Sequence, residues 1–289
     1  METTTERRRR ATVKDVALEA GVSRGTVSRV LNGQPYVSDE AREAIEAALS
    51  EEDYQLSFLI ADTPRDVERL ARYLSGGLID GVIIVSARVG DPITRAVRDL
   101  GLPAAFVGHP RDIGDAPYVA IDNRGAAREI TRRLADTGRT KIGMIAAALD
   151  RDSGADRLAG FVDALGADFD PQRVESVPFY SVADGREGMR RLLERMPDID
   201  GVFASSDAVA AGALEALREA GRRVPEDVGI VGFDDSSWAL RCDPPLSTIH
   251  QPAGELGRAA AKAVLAQLRG ERIETPIMLD CPVVWRESA

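Results

Sequence analysis

The sequence predicts a small all-α unit at the N-terminal end, followed by a larger α/β body built from parallel sheets. Three observations carry this prediction. Residues 12–32 read as two short helices around a glycine turn. Beyond about residue 55, short apolar runs alternate with amphipathic stretches, the rhythm of strands covered on both faces by helices. Charge divides the chain at the same place. Residues 7–36 hold seven basic side chains (Arg7, Arg8, Arg9, Arg10, Lys14, Arg24, Arg29) against Asp15 and Glu19, a net +5, while the whole chain is −10.

The first helix spans about 12–19. Thr12 caps it with Asp15 three residues on, the spacing of a capping box. Val13, Val16 and Ala17 give it one apolar face. Gly21 follows, where a helix ends in a left-handed conformation that costs glycine little. Ser23 caps a second helix whose stripe is Val27, Val30 and Leu31. Arg24, Gly25, Ser28 and Arg29 lie on its other side. A helical hairpin packed in a core would share the periodicity. The polar residues instead suit a helix-turn-helix, whose second helix lies in the DNA major groove. After the loop GQPYV, a third helix starts near Ser38, with Ala41, Ala44, Ile45, Ala48 and Leu49 on its apolar side. The three helices are expected to close around Val16, Val22, Val27, Leu31, Ile45 and Leu49. The run Arg7, Arg8, Arg9 and Arg10 is either an arm adding phosphate contacts or a solvated tail.

This stretch resembles the headpiece of the lactose/galactose repressor (LacI/GalR) family, whose signature is close to T-x-x-D-V-A-x-x-A-G-V-S-x-x-T-V-S-R-V-L-N. The match covers Thr12, Asp15, Val16, Ala17, Ala20, Gly21, Val22, Ser23, Thr26, Val27, Ser28, Arg29, Val30, Leu31 and Asn32. The resemblance implies a transcriptional regulator, a repressor, that reads a pseudo-palindromic operator in double-stranded DNA as a homodimer. Arg24 and Arg29 are the expected base contacts, and a bidentate arginine suits guanine. Gly25 stands where a larger base-reading residue is common. Thr12, Ser23, Thr26 and Ser28 are expected at phosphates, and Asn32 completes the interface.

In the body, QLSFLIA (55–61) reads as a buried strand. A helix follows, marked by Val67, Leu70, Ala71 and Leu74, then the strand GVIIVS (81–86), a helix at 92–100 and the strand AAFVG (104–108). The rhythm continues with a helix at 123–137, the strand KIGMIAA (141–147), a helix at 156–165, a strand at 173–178 and a helix at 185–196. GVFAS (201–205), a helix at 207–220, VGIVGF (228–233), a helix at 253–269 and two short strands in 275–286 complete it. The body also resembles the repressor family, through the run at 119–145, RLAGF (157–161), the run at 202–236 and PPLSTIHQP (244–252). That implies a periplasmic-binding-protein-like architecture of two doubly wound subdomains joined by three crossovers, near 147–150, 249–252 and 271–275. The domains expected are a headpiece at 1–50 and a body at 55–289. The N-subdomain takes about 55–147 and 252–271, and the C-subdomain about 150–249 and 275–289.

One departure from the family stands out. Helix 3 should lead into a Gly-Tyr-x-Pro-Asn element, a hinge helix and the first strand and helix of the body. Here AIEAALSEEDY runs directly into QLSFLIAD, as if joined across roughly 50 residues, about one βα unit plus a hinge. The N-subdomain is therefore expected to be incomplete. Strands 55–61 and 81–86 must pair directly or leave an edge exposed. Operator binding is expected to be weak, because in relatives the hinge helix inserts into the minor groove. The alternative reading is a small-molecule-binding remnant of a repressor with little or no specific DNA binding.

Ligands of open α/β sheets sit beyond the carboxyl ends of the strands. Asp234 follows one strand, Ser206 and Asp207 another, and Arg157 lies in the helix after KIGMIAA. By resemblance, Arg157, Ser206 and Asp234 contact the effector, a sugar or related polyol, and a carboxylate and a guanidinium can each bind two adjacent hydroxyls. Arg157 in a surface ion pair is the competing reading. Asp207 reads better as an N-cap than as a ligand contact, and Asp235 as a loop residue. Trp238 either stacks on a sugar ring or packs.

The rest of the composition excludes more than it adds. Cys242 and Cys281 have no metal or redox spacing, and a reducing cytoplasm is the expected compartment. No apolar run is long enough to span a bilayer, so no membrane partner is expected. His109 and His250 are isolated, and no glycine-rich phosphate loop is present. The sequence thus points to a binding protein without cofactor or metal, not to an enzyme.

Overall fold

Strand pairing, in the computed structural model of the chain, sorts the body into two parallel sheets and one short antiparallel ribbon. The described residues are 39–50, 54, 56–59, 64–110 and 113–289. The helix-turn-helix at 12–32, and with it Thr12, Ser23, Arg24, Gly25, Thr26, Ser28, Arg29 and Asn32, lies outside them.

Chain order begins with α1 (Asp39–Ser50), α2 (Pro64–Leu74), β1 (Val82–Val85), α3 (Pro92–Asp99), β2 (Ala104–Val107), β3 (Tyr118–Ile121), α4 (Asn123–Asp136) and β4 (Ile142–Ala147). Then come α5 (Asp152–Leu165), β5 (Val174–Val177), α6 (Val182–Arg195), β6 (Gly201–Ala204), α7 (Asp207–Glu219) and β7 (Gly229–Val231). The order ends with α8 (Ser237–Arg241), β8 (Thr248–Ile249), α9 (Ala253–Leu268), β9 (Ile277–Leu279) and β10 (Val283–Val284). The first sheet runs β1-β2-β3-β9 and the second β5-β4-β6-β7, each parallel throughout, while β8 and β10 pair antiparallel.

This order moves two strands across the division expected from the sequence. β4 pairs with β5 and β6, so 142–147 belongs to the second sheet and not to an N-subdomain reaching 147. β9 pairs with β3, so 277–279 belongs to the first sheet and not to a C-subdomain resuming at 275. The first crossing accordingly falls between β3 and β4 and the last between β9 and β10. Only the crossing after β8 stands where it was expected, near 249–252. The physical reason is plain: an apolar run marks an interior strand but says nothing of which sheet it enters.

The expected strand at 55–61 is not one among the described residues. Residues 56–59 stand outside the sheet, with Leu59 47% exposed, and β1 is the sheet's edge. Of the two outcomes open to an incomplete sheet, the exposed edge is the one seen among the described residues.

Period-two alternation builds the core. Ile142, Met144 and Ala146 of β4 face a cluster with Phe161, Phe203 and the α4 residues Ile130 and Leu134. Ile145 and Ala147 face the other side, with Val177, Met189, Leu192, Val202 and Leu217. The outer face of the first sheet carries a smaller cluster, Leu74, Ile93, Val97 and Ala104. On the second sheet, α6 and α7 touch through glycines. A Cβ on Gly212 would run into the Val182 carbonyl, and one on Gly185 into the Val209 carbonyl.

α1 also departs from expectation. Its stripe was assigned to closing the headpiece through Ile45 and Leu49. Instead it lies on α9, with Ala41, Ala44 and Ile45 buried there. The helix forms where periodicity placed it, but its partner differs, because a stripe specifies burial and not the surface that supplies it.

Candidate functional site

The carboxyl ends of the strands converge on Arg157. It lies in the second turn of α5, only 4% exposed, and its guanidinium is held on every nitrogen. Nε donates to Asn123 Oδ1 at 2.9 Å, Nη1 to the Ser205 carbonyl at 2.7 Å, and Nη2 to Gln251 Oε1 at 3.3 Å. Nη2 also stands 3.1 Å from Asp234 Oδ1. Its flat face covers the Phe233 ring, 3.6 Å from the centroid, and Tyr180 lies 5.9 Å away. The Tyr180 hydroxyl is buried without a hydrogen-bond partner, an arrangement that generally costs free energy until a partner arrives.

Asp234 follows β7 with φ +105°, a region that side-chain-bearing residues seldom enter. Its surroundings fix it there. Its N–H donates to the Ile249 carbonyl at 2.9 Å, and its own carbonyl accepts from Gln251 at 3.2 Å. Burial pushes the Asp234 carboxyl above its ordinary range, and the Arg157 guanidinium opposes that rise.

Ser206 is 2% exposed and is the N-cap of α7, its Oγ accepting from the Val209 N–H at 3.3 Å. The cap expected of Asp207 is therefore made by Ser206, one residue earlier. Asp207 is the first residue of α7 and fully buried. Its carboxylate accepts from the Thr248 hydroxyl and the Ser236 N–H, both at 2.6 Å, so it ties α7 to β8 and to the loop after Asp234. Desolvation, then the Asp234 charge, push it up to about 7 against those two bonds.

Among the sequence-predicted effector contacts, Arg157 and Asp234 meet directly. Ser206 joins them through its neighbours: Ser205 accepts from Arg157, and the Asp207 N–H donates to the Phe233 carbonyl at 2.8 Å. Asp235 is more than a loop residue, bonding Arg286 at 2.6 Å and His250 Nδ1 at 3.1 Å. Trp238 remains 40% exposed, so it does not pack into the core. Sequence reasoning missed Asn123, Tyr180, Phe233 and Gln251. The rule that found Asp234 applies equally to Asn123, which follows β3.

The two sheets are also joined through their loops. The Val89 N–H donates to the Asp150 carbonyl at 2.9 Å, Arg151 Nε to the Ser86 carbonyl at 3.2 Å, and Arg88 pairs with Asp150 at 3.2 Å. These contacts link the loop after β1 in the first sheet to the loop after β4 in the second. Two sheets whose carboxyl ends face a buried guanidinium paired with a half-buried carboxylate define a periplasmic-binding-protein-like module.

Residues 131–289 match the family described as periplasmic binding protein-like domain, and residues 12–57 match bacterial regulatory proteins, lacI family. The HTH-type transcriptional regulator CelR of Thermobifida fusca is 35% identical over 339 residues, covering 98% of this chain and 99% of the relative. That span of 339 exceeds the 289 residues here by 50, so the relative carries a stretch this chain lacks. The HTH-type transcriptional repressor CytR of Escherichia coli (strain K12) is 30% identical, with 96% of each chain covered. A solved CelR–cellobiose complex superposes with a TM-score of 0.83 at 34% identity, covering 97% of this chain and all of that one. The chain belongs to the lacI family of bacterial regulatory proteins, and it is a DNA-binding transcriptional regulator.

Proposed function

We propose that this regulator represses transcription as a homodimer in the cytoplasm, and that a small carbohydrate bound between its two sheets sets its affinity for a pseudo-palindromic operator. The observation that carries the effector reading is the buried Arg157 guanidinium paired with the half-buried Asp234 carboxylate, flanked by the amides of Asn123 and Gln251 and by the rings of Phe233 and Tyr180. Forked polar groups match neighbouring hydroxyls, and aromatic faces match the C–H face of a sugar ring. Ser206, with its oxygen occupied as a cap, offers its hydroxyl hydrogen to the same ligand. The solved relative bound to cellobiose makes a β-linked glucose disaccharide the first compound to try. In this reading the ligand is bound and released unchanged, with no cofactor and no metal.

The headpiece reads DNA through Arg24 and Arg29, with Thr12, Ser23, Gly25, Thr26, Ser28 and Asn32 along the same interface. Calorimetric titration with cellobiose tests the effector assignment. Asp234→Asn is expected to weaken binding about ten- to a hundredfold, the range for a hydrogen bond to a charged group. Unchanged affinity in that variant would remove Asp234 from the site. For DNA, the purified protein should enrich an inverted repeat from a random duplex pool. Arg24→Ala should relax one base position at about 1–3 kcal/mol of discrimination. A uniform loss across all sequences would make Arg24 a phosphate contact instead.

A further inference from the structure

We propose that helix α1 is shared between headpiece and body, and that seating it on α9 is an autoinhibitory contact that withdraws it from the DNA-reading headpiece. The proposal rests on the DNA-binding reading above and adds an interaction surface to it. The family match over 12–57 places 39–50 inside the DNA-binding unit. The structure seats the same residues on the body.

One helix cannot serve both at once, because it has a single apolar stripe. Ala41, Ala44 and Ile45 are buried against the body, and Ala48 and Leu49 continue the stripe half-buried. The opposite side is Asp39, Glu43 and Ala47, all exposed, with no second apolar face to offer a headpiece core. The same residues would have to close around Val16, Val22, Val27 and Leu31.

The seat on α9 is shaped for this helix. Gly254 and Gly257 stand one turn apart and let the two backbones approach. A Cβ on Gly257 would lie 3.0 Å from Ile45 Cγ1 and 3.1 Å from the Ala41 carbonyl, and one on Gly254 would lie 3.0 Å from Glu40 Cγ. Arg42 reaches over the Phe58 ring at 5.1 Å, which ties the following segment to the docked helix. A chain that runs from the third helix straight into the body, about 50 positions shorter than CelR, has little length with which to hold the two apart.

Two arms test this in the full chain, with Cys242 and Cys281 first replaced by serine. In the first, Glu40→Cys and Gly254→Cys are introduced together so that oxidation locks the docked helix. The probe is the inverted repeat enriched from a random duplex pool by the reduced protein. Affinity for it should fall about tenfold or more on oxidation and return on reduction. In the second, Gly257→Leu crowds the seat from the body side, outside the headpiece, and should raise operator affinity several-fold. If Gly257→Leu does not fold, the cross-link decides alone. Equal affinity in the oxidised and reduced forms overturns the docking proposal while leaving operator binding intact. A pair that never cross-links overturns it too, since the cysteines would then not be neighbours. Absence of any enriched sequence from the reduced protein and from Gly257→Leu alike overturns both docking and the DNA-binding reading.

Discussion

Asp207 shows how one buried carboxylate can shape the candidate site. Its carboxylate holds the Thr248 hydroxyl and the Ser236 N–H, and so fixes the loop that keeps Asp234 in its strained conformation. The free energy to sustain that backbone, about 1–3 kcal/mol, comes from bonds of this kind. Burial raises the Asp207 carboxyl to about 7. The folded chain therefore keeps a proton that the unfolded chain, with an ordinary value of about 4, has released. Stability from this group is complete below pH about 4 and fades as the pH climbs towards 7. Asp207→Asn cannot ionise. Between pH 5 and pH 8, urea midpoints of the wild type should fall relative to those of the variant. Parallel profiles would mean that Asp207 carries its charge throughout. Cys242 is held up to about 11 by burial first and by the Asp207 charge second, so its alkylation at neutral pH should be slow until the fold opens. At this scale the sequence exposed the charged members of the site, Arg157 and Asp234, because polar residues at strand ends are conspicuous. Asn123, Tyr180 and Gln251 were less visible, since an amide or a phenol near a strand end has many ordinary uses.

At the scale of elements, periodicity located most helices and strands of the body, and where it failed the reasons are physical. α5 starts at Asp152 and not at 156, because its first turn carries no apolar stripe. Gly154 there lies against the Ala147 and Ala148 carbonyls, where no side chain would fit. β3, α8 and β8 escaped as separate elements. β4 was found but assigned to the wrong sheet, and α1 was found but given the wrong partner. A stripe or an alternation encodes how much surface an element must bury. Which surface buries it depends on residues far away in sequence, such as Gly257 for α1. The α6–α7 contact makes the same point and is open to measurement. Gly212 and Gly185 let each helix meet the carbonyl row of the other. Those carbonyls are backbone and cannot swing aside. Gly212→Ala should therefore destabilise the protein by about 1–3 kcal/mol, although alanine is the better helix former by about 1 kcal/mol. A gain in the thermal midpoint would show that the two helices have room to separate.

For the molecule as a whole, the consequence of the shortened N-terminal half is uneven stability. The second sheet is packed on both faces, by α4 and α5 on one side and by α6 and α7 on the other. The first sheet shares the inner cluster through Ala105, Val119 and Ile121, while its outer face carries the small cluster Leu74, Ile93, Val97 and Ala104. Its edge strand β1 leaves Val85 40% exposed, and Leu78 just before it is 78% exposed. Contacts of this density set local opening free energies, and sparse ones open first. Amide hydrogens of 82–85 should therefore exchange well before those of 142–147 and 201–204. Calorimetry should return a measured enthalpy larger than the van't Hoff value, the mark of more than one transition. A ligand gripped between the sheets would narrow that gap, since it binds only when both are formed. If the proposed carbohydrate binds there, protection at 82–85 should rise more than protection at 201–204. If β1 and β6 instead exchange together and a single transition accounts for all the heat, then the loop contacts of Val89, Arg88 and Arg151, with the seat of α1 on α9, suffice to bind the halves into one cooperative unit.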